Sequence, residues 1–103
     1  MALFITRVEL HDATIQDYVN LHTHMATEGY STTIRGSDGR TYRLPPAEYH
    51  LDAACSRDQA LERAKRAALR TRRSFSLLVS EAVGISWVGL ATVQPTRGLA
   101  HVF

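Results

Sequence analysis

Alternating apolar and polar residues predict a β-strand near the start of the chain, at Leu3–Leu10. Phe4 and Val8 fall on one face of this strand, whereas Arg7 and Glu9 fall on the other. Such alternation is typical of a strand that buries one face and exposes the other.

A helix is predicted next, beginning at Asp12 or Thr14 and continuing to about Glu28. Gly29 stands where a left-handed residue commonly ends a helix. The apolar stripe that we expect to face the core consists of Ile15, Tyr18, Val19, Leu21, Met25 and Ala26.

Two further strands are predicted at Tyr30–Arg35 and Thr41–Leu51, and Pro45-Pro46 interrupts the second. Proline cannot donate to a sheet ladder, so the pair implies an edge, a bulge or a bend. Between the strands, Gly36–Gly39 reads Gly-Ser-Asp-Gly. A phosphate loop would need a helix after it and a calcium loop would need more oxygen ligands, so we predict a hairpin turn.

The second half of the chain predicts a helix and one or two more strands. Ser56–Gln59 has the pattern of a capping box, and the helix continues to about Thr71. The strand at Ser74–Ser80 alternates serine with apolar residues, and Pro95 would end a short final strand after Gly84. The residues that we expect the second helix to bury are Leu61, Ala64, Ala68, Ala60 and Ala67, and the apolar residues of the final strand are Ile85, Trp87, Val88 and Leu90.

The predicted order is therefore β-α-β-β-α-β with an extra C-terminal strand. This is the ferredoxin-like α+β arrangement, an antiparallel sheet with two helices on one face. We predict one domain over residues 1–94 and a C-terminal tail over residues 95–103. Leu3, Ile5 and the segment around Trp87 would leave an apolar patch on the open face of a monomer, so we expect a homodimer.

Composition narrows the class of protein. The 103 residues suit one domain, and no apolar run approaches the ~20 residues that span a bilayer. The first residues lack the basic leader and cleavage site of a signal peptide, and Cys55 is the only cysteine. These features predict a cytoplasmic protein without an intrachain disulfide or a membrane segment.

The small net charge of +2 is unevenly distributed along the chain. Residues 1–52 carry a net charge of −3 and residues 53–103 carry +5, and eleven of the twelve basic residues are arginine. Arginine suits bidentate contact with phosphate, although GC-rich genomes also favour arginine over lysine. Phosphate binding therefore stays an open hypothesis.

The two strands beside the predicted turn carry a possible nucleic-acid surface. Arginines there would hold phosphates while tyrosine rings stack on bases, as on RNA platforms. The alternative is a hairpin kept soluble by charges at an exposed edge. The residues of this surface are Arg35, Arg40, Tyr42, Arg43 and Tyr49.

The basic run on the second helix is a second possible contact for nucleic acid. Arg66, Arg70 and Arg73 are its candidate residues, although such a run is also typical of a solvated helix face.

Histidines and a carboxylate supply the possible acid–base groups. His11 could move a proton near neutral pH and Asp12 could bind Mg²⁺, whereas the alternative for Asp12 is a helix cap. His50 is a looser candidate for acid–base work. His22 falls beside the apolar stripe and is expected to be packed, and His22 and His24 are spaced too closely to grip a metal together.

Several stretches of the chain resemble a known family of small bacterial proteins. They are RVELHDAT, EGYSTTIRGSDGRTYRLPPAEYH, RDQALERAKRAA and SFSLLVSEA, within about residues 3–90. These stretches resemble the GhoS-type antitoxins of type V toxin–antitoxin systems, a family similar in fold to the CRISPR-associated Cas2 proteins. The resemblance implies a ferredoxin-like dimer and an endoribonuclease that cleaves the messenger RNA of a membrane-acting toxin, with participation of the RNA 2′-hydroxyl.

The resemblance also implies which residues act. Asp12 matches the Cas2-like aspartate at the end of the first strand, and Arg35 matches an arginine on the second. No second acidic residue is clearly placed to complete a metal site, so we expect no cofactor. A metal-free route would need a base and a cation, for which His11 or His50 and Arg35 or Arg43 are available. The alternative function is a non-catalytic dimeric module that binds a protein or nucleic acid.

Overall fold

An antiparallel sheet is built around the first strand in the computed structural model, which describes residues 2–93. The elements are β1 (Ala2–Leu10), α1 (Ile15–Thr27), β2 (Thr33–Arg35), β3 (Thr41–Arg43), β4 (Glu48–Ala53), α2 (Arg57–Leu69) and β5 (Phe75–Ala82). β1 lies between β4 and β5, and β2 pairs with β3 as a hairpin. The α+β class with antiparallel pairing and two helices is therefore confirmed.

The alternation along β1 places the core on the predicted face. Phe4, Thr6 and Val8 are each 0% exposed, whereas Arg7 and Glu9 are exposed. The inner face of β5 contributes half-buried Phe75, Leu77 and Val79, which pack against the same core. The opposite face of the sheet, which we call the outer face, carries the odd-numbered residues of β1.

Both helices begin with a reciprocal capping box. Ser56 and Gln59 cap α2 as predicted, whereas α1 is capped by Thr14 and Asp17. Of the two predicted starts, Thr14 is therefore confirmed; Asp12 lies two residues before the cap with a φ of 52°, so the alternative in which Asp12 caps this helix is wrong. Gly29 has a φ of 94° and follows α1, which confirms the left-handed end of this helix.

The buried stripe of α1 is narrower than predicted. Leu21 and Met25 are 0% exposed, but Ile15 is 86% and Val19 is 47% exposed. At 3.6 residues per turn, Ile15 and Val19 lie about 120° and about 160° from Leu21 around the helix axis. The core therefore covers only the side of α1 that carries Leu21 and Met25. In α2, the four predicted alanines are all buried and Leu61 is half-buried.

The predicted strand Thr41–Leu51 is divided into β3 and β4, with Pro45 and Pro46 between them. The backbone turns at Ala47, whose φ of 65° is unusual for a residue other than glycine. The Val8 amide then donates to the Ala47 carbonyl at 3.0 Å, so the chain joins β1 only after the prolines. The predicted interruption is confirmed.

The chain after β5 does not form the predicted strand. Within residues 83–93, the only sheet-like contact is an isolated bridge between Thr92 and Tyr42 of β3. Its backbone bonds run from the Arg43 amide to the Ala91 carbonyl and from the Val93 amide to the Thr41 carbonyl. The preceding apolar residues follow a path that turns at Gly89, where φ is 83°. Pro95 and the predicted tail at 95–103 lie outside the described residues.

A buried polar chain connects the sheet to α2. The Thr6 hydroxyl donates to the Tyr30 hydroxyl at 2.8 Å, and the Tyr30 hydroxyl donates to the Ala60 carbonyl at 3.0 Å. Thr6 and Ala60 are 0% exposed and Tyr30 is 3% exposed, so these groups depend on one another for hydrogen bonding. Across residues 2–93, no helix is long and apolar enough to cross a membrane.

We expect Tyr30→Phe to lower the free energy of unfolding by about 1–3 kcal/mol, because the Thr6 hydroxyl would be left buried without its acceptor. Adding Thr6→Val should recover part of this loss, since it removes the unsatisfied group. Urea denaturation of the single and double variants provides the measurement. If the loss of unfolding free energy in the double variant equalled the sum of the losses in the two single variants, the two hydroxyls would not be coupled.

Candidate nucleic-acid interface

The Gly36–Gly39 stretch forms the turn of the β2–β3 hairpin, as predicted. The Gly36 amide donates to the Arg40 carbonyl at 2.7 Å, and the Gly39 amide donates to the Gly36 carbonyl at 3.0 Å. Gly39 has a φ of 83°, which glycine adopts without steric cost. The Asp38 carboxylate accepts from the Arg40 amide and the Tyr42 hydroxyl, so it serves the turn itself.

Arg35 and Arg43 project from the same face of this hairpin. Arg35 is two residues from Thr33 on β2, so the two share a face of the strand. Arg43 of β3 lies directly opposite Thr33, and directly opposed residues of an antiparallel pair also share a face. Both arginines are exposed. Their guanidinium groups make no ion pair or hydrogen bond with any of residues 2–93. The predicted placement on one face is confirmed, and both charges are available to an anion.

Tyr42 lies on the other face of the hairpin. The prediction that it forms one RNA platform with Arg35 and Arg43 is therefore wrong. Tyr42 is opposite Ile34 in the register. Its ring packs against Trp87 at a centroid distance of 5.3 Å and an angle of 59°. Arg40 lies in the turn, where its charge faces the Asp38 carboxylate. The sequence predicts Trp87 in a strand on the open face of the sheet, and this prediction is wrong. Trp87 instead packs on the hairpin, a contact that only the folded chain reveals.

A shallow cavity of about 290 Å³ opens beside this aromatic pair. Backbone of the turn and the two rings form its walls, together with the Asp38 carboxylate. The residues that line it are Gly36, Ser37, Asp38, Tyr42, Ile85, Ser86 and Trp87.

Tyr49 is buried in the core, so the prediction that its ring stacks on a base is wrong. It is 0% exposed and packs on the inner face of the sheet. Its hydroxyl lies 2.7 Å from Nδ1 of His22, and burial raises the pKa of Tyr49. Period-2 alternation places Tyr49 and His50 on opposite faces of β4, and the sequence did not show which face was buried.

The His22 ring packs against the Tyr49 ring at a centroid distance of 5.5 Å, as predicted, and Nδ1 contacts the Tyr49 hydroxyl. The residue as a whole is nevertheless exposed. Partial burial lowers the pKa of His22, which favours the neutral ring near pH 7.

Two of the three arginines predicted to contact nucleic acid form ion pairs instead of standing free, Arg66 on α2 and Arg73 in the turn between α2 and β5. Arg66 forms an ion pair with Glu28 at the end of α1, with Nη2 and Oε1 2.9 Å apart. Arg73 forms a similar pair with Asp17, with Nε and Oδ2 2.9 Å apart. Arg70 is exposed at the end of α2. The basic run of this helix is therefore partly neutralised by acids of α1, which sequence spacing did not reveal.

His11 lies at the far end of β1, beside two serines of the β5 edge. Its ring nitrogens are each 3.2 Å from a serine hydroxyl, Nδ1 from Ser74 and Nε2 from Ser76. Asp12 follows in the turn before α1 and is exposed.

His50 lies elsewhere on the outer face of the sheet. It pairs with Ile5, six residues before His11, so the two rings are separated by about 20 Å along the strand direction. His11 and His50 are therefore not brought into one site.

The predicted residues do not form a metal centre in the described part of the chain. No group of three or more histidine, cysteine, aspartate or glutamate side chains among residues 2–93 is arranged to hold a metal ion. Among the predicted residues, Arg35 and Arg43 on the hairpin are exposed and unpaired within residues 2–93, so both can bind an anionic ligand.

Comparison with known proteins adds no identification. None of the protein-family models scanned matches this chain, and a search of curated proteins finds no significant match.

The His50 ring should make stability depend on pH. Burial lowers the pKa of His50 from its ordinary value of 6.5, with the Asp52 carboxylate and the Thr33 backbone acting in the opposite direction. A lowered folded-state pKa stabilises the protein above about pH 6.5, and this stabilisation is lost as the pH falls through the folded-state value.

We expect His50→Gln to reduce the difference in urea midpoint between about pH 7 and about pH 5. His22→Gln should act in the same direction, because burial also lowers the pKa of His22. An unchanged difference in both variants would show that neither histidine resists protonation in the folded state.

Proposed function

We propose that this protein binds single-stranded RNA on the β2–β3 hairpin and acts as an antitoxin-like endoribonuclease. The observation that carries the proposal is the pair Arg35 and Arg43, exposed on one face and without a partner among residues 2–93. A guanidinium group presents a planar fork of donors that matches a phosphate, and each such contact releases counterions from the nucleic acid.

The shape of the hairpin suits a single strand better than a duplex. Its two strands form a thin ribbon with arginines on one face and the Tyr42–Trp87 rings on the other. An RNA strand along this edge can direct phosphates to the arginines and turn a base toward the rings. Stacking of a base on an aromatic ring contributes about 1–3 kcal/mol and tolerates any sequence.

The proposed ferredoxin-like topology is supported by the order of the strands. β5, β1 and β4 are neighbours, and the Ser31–His50 bridge brings the start of the hairpin beside β4. The resulting order β5-β1-β4-β2 is the order that a split βαβ connection produces when β3 and β4 count as one interrupted strand. The family resemblance of the sequence agrees with this topology and with a cytoplasmic antitoxin, and these assignments belong to the same proposal.

We expect the double variant Arg35→Ala, Arg43→Ala to bind single-stranded RNA roughly tenfold more weakly. The slope of log affinity against log salt concentration is negative and should become shallower by about 1.4, since each lost phosphate contact removes about 0.7 for a single strand. Fluorescence anisotropy with a labelled oligoribonucleotide at several salt concentrations measures both quantities.

Arg57→Ala is the matched control for this experiment. Arg57 is also exposed but lies at the start of α2, away from the hairpin. If it weakened binding as much as the double variant, RNA binding would follow net charge and not the hairpin.

The nuclease part of the proposal has its own test. Purified protein incubated with mixed RNAs, with and without EDTA, should cleave them, and EDTA separates a metal-dependent reaction from a metal-free one. RNA that stays intact under every condition would refute nuclease activity while leaving RNA binding in place.

The outer face of the sheet favours a second candidate, a dimeric interaction module. Leu78 is 65% exposed there, opposite Arg7 in the register, and Leu3 and Ile5 are half-buried on the same face. A second copy that covers this face would bury these side chains, as obligate dimers do.

Leu78→Asp should therefore shift the protein from dimer to monomer, because it would place a carboxylate in the dimer interface. Light scattering after size exclusion gives the mass. Val88→Asp is the control, since Val88 is 94% exposed and lies outside the sheet. A wild-type protein that is monomeric at all concentrations would eliminate this dimer.

A further inference from the structure

A cleft of about 360 Å³ lies where the chain breaks between β3 and β4. One wall is the edge of β1, another is the side of α1, and the third is the proline turn. The residues that line the cleft are Arg7, Val8, Glu9, Tyr18, His22, Pro46 and Ala47. The lining combines apolar Val8, Pro46 and Ala47 with four polar side chains that converge on the same space, and converging polar groups in a cleft are typical of a ligand site.

The cleft exists because β4 covers only part of β1. Their pairing ends at Arg7 and Glu48, and the Val8 amide takes the last bond, to the Ala47 carbonyl. Two residues further, the Leu10 amide donates to the Tyr18 hydroxyl at 2.9 Å. A side chain of α1 therefore satisfies the strand edge where a neighbouring strand would otherwise lie, and space is left between them.

His22 is the acid–base group of this cleft. Its Nδ1 is 2.7 Å from the hydroxyl of Tyr49, a residue that is 0% exposed and fixed in the core. The tautomer that can act as a base has Nδ1–H donating to the Tyr49 oxygen, which leaves the lone pair on Nε2; if the Tyr49 hydroxyl donates to Nδ1, Nε2 carries the proton instead. A histidine oriented by a buried partner through one nitrogen has the arrangement that general bases use.

Arg7 supplies a cation at the same cleft. Its side chain is 67% exposed, and its only ion pair among the described residues is a long one, 3.7 Å from Nη1 to Oε2 of Glu48. Glu9 also lines the cleft, but its carboxylate lies 4.0 Å from the ring of His11, toward the β5 side. Arg7 is therefore free to exchange its weak pairing for a phosphate.

The backbone at the cleft is held in an unfavourable conformation. Ala47 has a φ of 65°, in the left-handed region that costs a non-glycine residue free energy. Such strain is found disproportionately at functional sites, where the surrounding structure maintains it.

We propose that this cleft is the reaction centre for RNA cleavage, with His22 as the general base, Arg7 as the ligand of the scissile phosphate and Tyr49 as the residue that positions His22. This inference rests on the proposed function, and it replaces the separated His11 and His50 with groups that share one cavity.

The reaction needs no metal and no other co-reactant. His22 Nε2 takes the proton of a ribose 2′-hydroxyl as the 2′-oxygen attacks the adjacent phosphorus. The new O2′–P bond forms and the P–O5′ bond breaks, which yields a 2′,3′-cyclic phosphate. The departing 5′-oxygen takes a proton from water, and the hydroxide that remains takes the proton from His22 Nε2, which restores the base. Arg7 stabilises the charge that develops on the phosphoryl oxygens.

The hairpin can deliver RNA to this cleft. Arg43 precedes Pro46 by three residues, so their Cα atoms are at most about 11 Å apart. A strand held by Arg43 can therefore continue directly into the cleft beside Pro46.

The titratable and charged groups around His22 come from three elements. Tyr49 on β4 contacts its ring, and Tyr18 on α1 and Arg7 and Glu9 on β1 line the same cleft. Partial burial lowers the pKa of His22, so its ring is in the basic form at neutral pH. The cleavage rate should rise with pH below about 6.5 and then become constant, because the free base is then fully formed.

The test measures cleavage of a labelled oligoribonucleotide in EDTA, with binding to the same RNA measured in parallel. His22→Gln should slow cleavage by about 10²–10⁴-fold and leave binding unchanged, because only the base is removed. Arg7→Ala should slow it by about 10²-fold. The DNA oligonucleotide of the same sequence should not be cleaved, since it lacks the 2′-hydroxyl.

Tyr49→Phe tests positioning, and its folding is checked by urea denaturation. It should slow cleavage by about tenfold or more and move the pH midpoint of the rate, which a purely structural role would not move. His24→Gln is the matched control, because it carries the same substitution on the same helix outside the cleft. Its rate should equal that of the wild type.

The outcomes separate this inference from the proposed function. RNA that is bound but never cleaved by the wild-type protein overturns the reaction centre and the nuclease activity, and leaves the hairpin proposal standing. Cleavage that His22→Gln retains overturns the reaction centre alone, and so does cleavage that is lost in EDTA. Equal cleavage by every variant would indicate a contaminating ribonuclease and would also overturn the assignment of His22.

Discussion

The pairing of β1 on both of its edges is the constraint on which the rest of the molecule depends. β4 and β5 each bond to it, and its inner face places Phe4, Thr6 and Val8 at the centre of the core. A slip of one residue in either register would exchange this face for Arg7 and Glu9, which cannot be buried without partners. The hairpin, the cleft and the outer face are all positioned relative to this strand.

The arginines of the chain serve two different purposes. Arg66 of α2 pairs closely with Glu28 at the C-cap of α1, and Arg73, in the turn after α2, pairs with Asp17 of α1, so both are less available to a ligand. Arg35 and Arg43 stand on a narrow ribbon where no acid of residues 2–93 approaches their guanidinium groups. Composition and net charge do not distinguish these roles, because the distinction lies in which acid the fold brings near each arginine.

The proline pair has consequences on both sides of the strand that it divides. Before it, β3 is free to leave the central sheet and form a projecting hairpin with β2. After it, the turn at Ala47 lets β4 join β1 only as far as Arg7, which leaves the rest of that edge to Tyr18 and His22. One interruption of a strand therefore creates both surfaces to which we assign a function.

Elements with local signals can be read directly from the chain: the alternation of β1, the capping box at Ser56 and the turn at Gly36–Gly39. Each depends on residues that are neighbours in the chain, so the pattern contains the cause. Tertiary structure alone decided that Tyr49 is buried, that Trp87 returns to the hairpin and that His22 meets the Tyr49 hydroxyl. These outcomes depend on contacts between residues far apart in sequence, and the physical reason is that burial and proximity belong to the packed chain and not to any segment of it.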